Sequence, residues 1–597
     1  MKKRILCLFL AIVMIVGAIG ILTACGEDDP AKLCATKCQK KDENKDKKCD
    51  YCGAVLKHRC RDQDEDQKCD YCGEDMSKQS AAEEYPEVPW IDDDPIDLFF
   101  MMSHNTDAQQ NPSGCQRYLA GEDTEATEAI DDMVKARNGD AEIYTNVNVR
   151  YDYYDDVSEY GWGKCIEIMF SNVKSGARDV PDMYCNFTYD MVGASLKGTF
   201  ANLKNMELDQ GNFFEFNKEG YNEEVDNKGY MFDYMESTTL SLHKMYVLAS
   251  DYFMDLVRAF FIVPVNIELL TTYGADITTD LNKDGVFTID DFYEQVWLKE
   301  WNYDLVKQYS EAVYRNTGAS NSGEDIEDVL GFVLAQGGLA PSGILYSTNI
   351  TIINKIWNDE KGDYDYSFPT DSEELYTLFD NIKSLVNSTG VAYIDSSDPN
   401  ITKYGADARV ATRVRFSKNQ ILFGGVIVLG ALEYSEYQLL KDEGKGFGVV
   451  PVPLYHEVDL ESKENYLTSI HNNARPGGIA KSTTHFTACT AFLDYQSTHS
   501  TDILNEYYEH NLQHQVVDGK VEGTVEMLQY IRKNVRSAFD KTFEDAIGVY
   551  NSEEKNRWHH ILSVNKYEYD IRKDYGTYRS QKQIHLETLY NEYPNLP

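Results

Sequence analysis

Two stretches near the end of the chain indicate how it folds. The first, Gly446–Pro453, reads GFGVVPVP, and the second, Ser469–Lys481, reads SIHNNARPGGIAK. An apolar run punctuated by prolines predicts a strand that ends or leaves its sheet, because proline cannot donate a hydrogen bond to a ladder. Beyond about Thr484 the apolar residues recur at helical spacing on one face, at Ala488, Ala491, Phe492 and Tyr495. The chain is therefore expected to leave one sheet, cross a Gly-, Asn- and Arg-rich connection, and enter a helix that packs elsewhere.

This order of strand, Pro-x-Pro, crossing and helix resembles the family 1 extracellular solute-binding proteins, the carbohydrate-uptake relatives of maltose-binding protein. In that family the segment crosses a hinge between two lobes. The resemblance implies an α/β, two-lobed type II periplasmic-binding-protein fold with hinge crossings and a C-terminal helical extension. It covers residues 90–597, with lobe 1 at about 90–245 and 465–515, and lobe 2 at about 260–455 and 520–597.

Length and composition agree with more than one lobe. A chain of 597 residues is too long for a single compact core, and 42% of its residues are hydrophobic, as in globular proteins. The 42 tyrosines are numerous. Exposed aromatic rings are what sugar sites stack on, although any one ring is more often part of a core or a half-buried surface.

The N-terminus has the pattern of a lipoprotein signal peptide, residues 1–24. Lys2, Lys3 and Arg4 precede an uncharged apolar run, and Leu22–Cys25 reads LTAC, which resembles a bacterial lipobox. The resemblance implies cleavage before Cys25 and a lipid on its sulfur. An uncleaved transmembrane anchor is the alternative, since 18 apolar residues nearly span a bilayer. We expect a protein at the extracellular face of the cytoplasmic membrane, tethered by its lipid.

Charge restricts the partners. Removal of the three basic residues leaves 54 basic and 99 acidic residues, a net charge of −45. This excess disfavours nucleic acid and a polybasic membrane patch, and it would not attract an acidic ligand, whereas a neutral sugar is indifferent to it.

Residues 25–89 form a cysteine-rich linker with an internal repeat, Asp42–Gly53 and Asp62–Gly73, each ending in CDYCG. The possible metal ligands are Cys34, Cys38, Cys49, Cys52, His58, Cys60, Cys69 and Cys72. Seven cysteines do not pair evenly, whereas His58 completes two four-ligand sets of the kind that zinc prefers. Disulfides stay open as the alternative, because extracellular cysteines usually pair.

Candidate ligand-binding residues follow from where strands and crossings meet the expected cleft. The Gly176–Tyr184 run resembles a family strand whose end faces the cleft, so Asn186 and Tyr189 are lobe 1 candidates, with loop capping or packing as the alternative. The segment Lys244–Leu270 resembles the first hinge crossing. It contributes Asp251 and Tyr252, and the Gly446–Gln496 crossing contributes Asn473 and Arg475.

Lobe 2 contains a recognisable helix start and, after it, a polar stretch. Trp301–Asp304 resembles the helix start of the family. The Gly-, Ser-, Asn- and Tyr-containing stretch Ser342–Asn349 is expected to border the cleft, and Trp357 is either a core residue or a stacking platform.

Residues 280–291, DLNKDGVFTIDD, match a calcium-binding loop. The expected ligands are Asp280, Asn282, Asp284, the Val286 carbonyl, Thr288 and Asp291. Gly285 provides the tight turn and Phe287 the apolar anchor. Asp rather than Glu at the twelfth position shortens the reach to the ion. A simple Asx/Gly turn is the alternative, and the expected role of calcium is structural.

The sequence contains no nucleophile elbow, HExxH or Walker motif. We therefore expect a non-enzymatic, monomeric receptor that delivers an oligosaccharide to the permease subunits of an ABC importer. A secreted glycoside hydrolase remains possible, because two carboxylates at a catalytic separation are invisible in sequence. A cell-surface adhesion or scaffold protein is the third possibility, favoured by the linker repeat.

Overall fold

The computed structural model describes much of the chain after residue 94. The described residues are 95–103, 114–121, 129–154, 163, 165–177, 179–204, 212–217, 229–241, 243–274, 287–316, 328–335, 339–369, 372–394, 408–442, 446–455, 466–512, 522–535, 539, 542, 579, 583–584 and 586–588. The predicted signal peptide, lipidation site Cys25 and cysteine-rich linker lie outside these residues, as do calcium-loop residues Asp280, Asn282, Asp284 and Val286.

The chain divides into two compact units. The smaller comprises Met1–Tyr85, Glu294–Glu300 and Val458–Lys463, of which only Glu294–Glu300 is described. The larger unit comprises Pro86–Tyr293, Trp301–Glu457 and Glu464–Pro597. Both sheets discussed below belong to the larger unit.

The twelve strands of the described part form two sheets and a hairpin. They are β1 (Ile96–Ser103), β2 (Val147–Tyr154), β3 (Met183–Cys185), β4 (Phe261–Asn266), β5 (Leu330–Ala335), β6 (Asn354–Asn358), β7 (Asp363–Ser367), β8 (Val391–Ile394), β9 (Ile421–Phe423), β10 (Ile427–Val428), β11 (Phe447–Val450) and β12 (Gly477–Ile479). The α-helices are α1 (Ala129–Thr145), α2 (Cys165–Ser175), α3 (Thr188–Leu196), α4 (Phe232–Ser237), α5 (Met254–Arg258), α6 (Ile267–Tyr273), α7 (Ile289–Trp297), α8 (Tyr303–Val313), α9 (Leu339–Tyr346), α10 (Glu373–Val386), α11 (Ala408–Ser417), α12 (Ser435–Asp442), α13 (Phe486–Thr498), α14 (Thr501–Glu506) and α15 (Glu522–Lys533).

The first sheet has the strand order β12-β3-β1-β2. Strands β1, β2 and β3 are parallel, and β12 is antiparallel to β3. The carboxyl ends of β1 and β3 therefore lie at one edge, where Ser103 ends β1 and Asn186 follows β3. This edge is where ligands bind in open α/β sheets.

The second sheet has the order β10-β4-β9-β5-β8, with β11 also pairing with β4. Strands β5, β8 and β9 are parallel, whereas β10 and β11 run antiparallel to β4. Its central strands are apolar on both faces: every residue of β4 and β9 is buried. A strand covered on both sides reads as a continuous apolar run, as these do.

The chain crosses between the sheets twice in the described residues. It leaves the first sheet after β3 and enters the second at β4, then leaves the second after β11 and returns to the first at β12. The two crossings pair with each other through antiparallel bridges between Leu248 and Gly477 and between Phe260 and Ile470. A third segment joins them after α15, where the Thr468 amide donates to the Asn534 carbonyl at 2.9 Å.

The Gly446–Gln496 prediction is confirmed. Strand β11 ends at Val450, immediately before Pro451, and the Pro451 carbonyl accepts a 2.8 Å hydrogen bond from the indole nitrogen of Trp301, which is fully buried. The chain then reaches β12 and helix α13. The α/β fold class and the two-sheet architecture are thus as the sequence predicts.

Two asparagines in the regions of family resemblance begin helices. The Asn266 Oδ1 accepts the Leu269 amide at 3.0 Å and starts α6, and the Asn302 Oδ1 accepts the Leu305 amide at 2.9 Å and starts α8. An N-cap of this kind stabilises a helix by about 0.5–2 kcal/mol.

Candidate functional site

A cavity of about 600 Å³ lies between helix α4 on one side and the α9–β7 stretch on the other. Its lining residues are Asp233, Glu236, Ser237, Tyr346, Thr348, Asn349, Ile350, Thr351, Ile353, Asn354, Lys355, Ile356, Tyr364 and Phe539. This volume is in the usual range for small-molecule sites, about 300–1,000 Å³.

Two of the helices that line the cavity, α4 and α9, are attached to different sheets. Helix α4 is fixed to the first sheet's side, because the hydroxyl of Tyr234 hydrogen-bonds the hydroxyl of Thr188, at the start of α3. Helix α9 lies against the second sheet. A Cβ on Gly343 would stand 2.4 Å from a Val426 methyl and 2.7 Å from the Phe261 ring, so glycine permits this approach. A molecule in the cavity would therefore touch both halves of the protein.

The polar groups of the lining suit a ligand rich in hydroxyls. Asp233 and Glu236 are one turn apart on α4, and the opposite wall contributes hydroxyl and amide side chains at Thr348, Asn349 and Asn354. Carboxylates and amide oxygens accept from hydroxyl groups, and amide nitrogens donate to them.

One cation lies among these groups. The Lys355 Nζ donates to the Glu236 carbonyl at 3.4 Å and lies 4.3 Å from the centre of the Tyr364 ring. Burial lowers the pKa of the Lys355 ammonium, and the charge of Glu236 opposes that shift.

The β6–β7 hairpin provides an aromatic edge to the cavity. Trp357 pairs with Tyr364 across the hairpin, with their rings edge to face at 5.2 Å. Tyr364 lines the cavity, while Trp357 is 45% exposed and its indole nitrogen donates to Asp359 at 2.8 Å. The hairpin is held by a 2.6 Å hydrogen bond from the Ser241 hydroxyl to Asp363. An exposed indole face beside a polar cavity is a surface on which a sugar ring can stack.

None of the six predicted ligand-binding residues lines this cavity. Four of them, Asn186, Tyr189, Asn473 and Arg475, come together where the turn after β3 meets the second crossing. The amide and the hydroxyl of Thr188 both donate to the Ala474 carbonyl, at 2.8 and 3.1 Å. We call these four residues, together with Phe187, Thr188 and Ala474, the hinge cluster.

Rings and a guanidinium stack within the hinge cluster. The Phe187 and Tyr189 rings are nearly parallel at 6.1 Å, and the Arg475 guanidinium carbon lies 4.6 Å from the centre of the Phe187 ring. Arg475 Nη2 and Asn473 Oδ1 are buried atoms that lack a hydrogen-bond partner among the described residues. Their contact with a ligand stays a prediction.

A buried ion network extends from the hinge cluster. Asp255 on α5 accepts from Arg475 Nη1 at 2.8 Å, from Arg258 Nη1 at 2.5 Å and from the Gly114 amide at 2.9 and 3.0 Å. Burial alone would raise the pKa of the Asp255 carboxyl, but the charges of Arg475 and Arg258 outweigh it and the pKa is lowered. Arg258 also forms a two-point contact with Glu433, at 2.8 and 2.9 Å.

Asp251 and Tyr252 lie apart from the hinge cluster. Asp251 is buried, accepts from Arg532 Nε at 2.8 Å and from the Thr501 hydroxyl at 3.3 Å, and so ties the first crossing to α15. Tyr252 is fully buried, with the Arg137 guanidinium carbon 4.8 Å from its ring centre. Burial raises the pKa of Tyr252 well above its ordinary value. In this structure both side chains occupy structural positions, and a role in ligand binding stays a prediction.

The described end of the predicted calcium-binding loop is a helix N-terminus. The Asp291 Oδ2 accepts the Thr288 amide at 2.8 Å, and the Thr288 hydroxyl accepts the Asp290 amide at 3.3 Å. This reciprocal arrangement is a capping box for α7. The part of the chain that is described contains no group of three or more His, Cys, Asp or Glu side chains suited to a metal ion.

Sequence reasoning missed most of the cavity, although one signal pointed to it. The Ser342–Asn349 stretch was expected to border the cleft, and Tyr346, Thr348 and Asn349 do line the cavity. Glu236 and Tyr364 carried no such signal, because they lie in an ordinary helix and an ordinary hairpin.

Within the described residues there is no helix long and apolar enough to cross a membrane.

Comparison with known proteins gives matches among solved structures only. No protein-family model matches the chain, and no curated protein matches it. The galacto-N-biose-/lacto-N-biose I-binding protein of an ABC transporter from Bifidobacterium longum is 12% identical, with 84% of this chain and 98% of that chain covered and a TM-score of 0.46.

Two further structures show a similar likeness. An ABC substrate-binding protein from Listeria monocytogenes, in complex with cycloalternan, is 12% identical over 83% of this chain and 100% of that chain, with a TM-score of 0.45. A family 1 extracellular solute-binding protein from Bifidobacterium longum subsp. infantis is 11% identical, with 83% of this chain and 100% of that chain covered and a TM-score of 0.41. All three are binding proteins.

Proposed function

We propose that this protein is the extracellular substrate-binding component of an ABC importer, that its ligand is an oligosaccharide, and that a lipid on Cys25 anchors it to the outer face of the cytoplasmic membrane. The observation that carries the proposal is the cavity that is lined both by α4, attached to the side of the first sheet, and by α9, which lies against the second sheet. Ligand contacts on both walls would favour a closed arrangement of the two halves, and a permease that recognises this arrangement would respond to the loaded protein only.

The chemistry of the cavity supports a sugar as the ligand. Asp233 and Glu236 would accept hydrogen bonds from sugar hydroxyls, and Asn349 and Asn354 would pair with others. Tyr364, with Trp357 at its edge, offers ring faces for pyranose stacking. The strongly negative chain would not repel a neutral sugar.

The test is a thermal-shift screen of the full chain against oligosaccharides and peptides, followed by chromatography of the bound glycan. A ligand that binds only the native state raises the unfolding temperature as its concentration passes Kd. A saturable shift with one class of glycan and no new product supports the receptor. Product formation would favour the glycoside hydrolase, and a shift with peptides alone would overturn the sugar assignment.

Small-angle scattering separates the receptor from an adhesion or scaffold protein. Saturating glycan should reduce the radius of gyration if the two halves close on the ligand. An unchanged radius under saturation would contradict the closure mechanism.

Membrane anchoring has its own test. We expect the Cys25→Ser variant to lose lipid labelling and to leave the cell-surface fraction, while glycan binding is unchanged because the cavity lies far along the chain. Surface retention without lipid label would favour an uncleaved anchor.

A further inference from the structure

Two buried thiols from different elements of the first sheet's half stand close together. The Sγ atoms of Cys115 and Cys185 are 3.9 Å apart, although the residues are 70 positions apart in the sequence. Cys115 begins the π-helical segment Cys115–Ala120, and Cys185 ends β3. Both side chains are fully buried.

The pair lies against the ion network of the hinge. The Cys185 thiol donates to the Arg475 carbonyl at 3.3 Å, and the Cys115 thiol lies 3.9 Å from Asp255 Oδ2. The amide of Gly114, the residue before Cys115, donates to the same carboxylate. A covalent link between the two sulfurs would therefore join the Cys115–Ala120 segment to β3 beside the Arg475–Asp255 ion pair.

We propose that Cys115 and Cys185 are a modification site that forms a reversible disulfide by exchange with a low-molecular-weight disulfide. In the first step the thiolate of one cysteine attacks the reagent, forms a mixed disulfide and releases one small thiol. In the second step the other cysteine attacks the protein sulfur of the mixed disulfide and releases the second small thiol. The protein loses two electrons and two protons, and the reagent is reduced to two thiols.

The other two described cysteines, Cys165 and Cys489, provide a comparison for the Cys115–Cys185 pair. Burial raises the pKa of Cys165 to about 12 and raises those of Cys185 and Cys489 well above the ordinary value of a thiol, so burial slows oxidation at each of the three positions. Cys165 lies near Asp190 and Asn186, and Cys489 near Asp182 and Thr483. What distinguishes Cys115 and Cys185 is their proximity, because a disulfide requires two sulfurs about 2 Å apart and the pair needs only a small shift to reach that distance.

The experiment uses the unsubstituted full chain, so that no variant has to fold. The protein is incubated with oxidised glutathione, its remaining thiols are alkylated after denaturation, and the digest is analysed by mass spectrometry. We expect a cross-linked peptide that contains Cys115 and Cys185 and that disappears after treatment with dithiothreitol. Full alkylation of both cysteines after oxidation, or pairing of either one with Cys165, Cys489 or a linker cysteine, would overturn the proposal.

Matched variants extend the test. Cys165→Ser and Cys489→Ser each remove a buried thiol and should leave the Cys115–Cys185 cross-link at its original yield. Loss of the cross-link in either variant would show that its formation passes through the substituted cysteine, which the proposed direct exchange does not allow.

Discussion

Arg475 and Asp255 form a 2.8 Å ion pair in which the side chains are only 1% and 2% exposed, although the residues lie 220 positions apart. Arg475 comes from the second crossing and Asp255 from helix α5, which lies within the first. Arg258 pairs with the same Asp255 carboxylate and also with Glu433, so the ion network extends to Glu433. The pair thus ties the two crossings together at the hinge.

Replacement of Asp255 by Asn should destabilise the protein by about 3–5 kcal/mol, because it leaves the buried Arg475 guanidinium without its counter-charge and leaves Arg258 with Glu433 alone. Urea unfolding followed by tryptophan fluorescence measures the effect. The matched control is Asp304→Asn, which removes an ion pair with Lys307 in which Asp304 is 70% exposed, and which should cost no more than about 1 kcal/mol. Equal effects of the two substitutions would contradict the assigned role of the buried pair.

The stabilising effect of Asp255 should depend on pH in one direction. Its pKa in the folded protein lies below the ordinary value of 3.8, so the carboxylate contributes stability above pH 3.8 and loses it as the pH falls through the lower, folded value. The difference in unfolding temperature between wild type and Asp255→Asn should therefore be constant from about pH 7 to pH 5 and shrink below pH 3.8. A difference that grows on acidification is the result that this account does not permit.

Glu236→Gln should weaken binding of the glycan identified in the thermal-shift screen. A hydrogen bond to a charged acceptor contributes about 1.5–3 kcal/mol, so the Kd should rise by roughly 10- to 150-fold. Isothermal titration calorimetry measures it. Glu374→Gln, on an exposed face of α10 and outside the cavity, is the control and should leave Kd unchanged. Unaltered affinity in the Glu236 variant would remove that carboxylate from the site.

Trp357→Ala should raise the Kd of the same glycan by roughly 2- to 12-fold. This range corresponds to the about 0.5–1.5 kcal/mol that is typical of an aromatic contact. Tyr144 offers a matched exposed ring, since it is 58% exposed, stacks on Tyr495 and is not part of the cavity. The Tyr144→Ala variant should bind the glycan with the Kd of the wild type. If both alanine variants bind like wild type, Trp357 is a surface residue without a stacking role.

Calcium should raise the unfolding temperature of the wild-type chain, and Asp280→Ala should abolish that increase by removing the first expected ligand. Asp291→Ala should behave differently, because Asp291 also caps α7 and alanine has no side-chain oxygen to accept the Thr288 amide. Loss of the capping box should lower stability by about 0.5–2 kcal/mol with chelator as well as with calcium. No response of the wild type to calcium or chelator would leave the 280–291 loop as an ordinary Asx/Gly turn.

Local patterns in the sequence were sufficient to predict several helices and strands and the Gly446–Gln496 crossing. Pro451 predicted where β11 ends, because a proline has no amide hydrogen for the ladder. Helical spacing predicted α13, and the resemblance of Trp301–Asp304 to a family helix start predicted α8, which the structure shows to be capped by Asn302. The residues of Ile143–Val149 predict an extended segment from their local β preference, but the strand begins only at Val147. Helix α1 continues to Thr145, because packing of that helix outweighs the local preference.

The site depended on tertiary structure. The sequence by itself determined the strand–crossing–helix order and the acidic, tyrosine-rich composition, because these follow from periodicity, proline positions and residue counts along the chain. The two-lobed architecture was implied by the resemblance to a known family. Only the tertiary structure decided that Glu236 faces Asn349 and Tyr364 across a cavity, and that Asp251 pairs with Arg532. Those contacts join residues more than 100 positions apart, and their geometry is set by how the two crossings bring the sheets together.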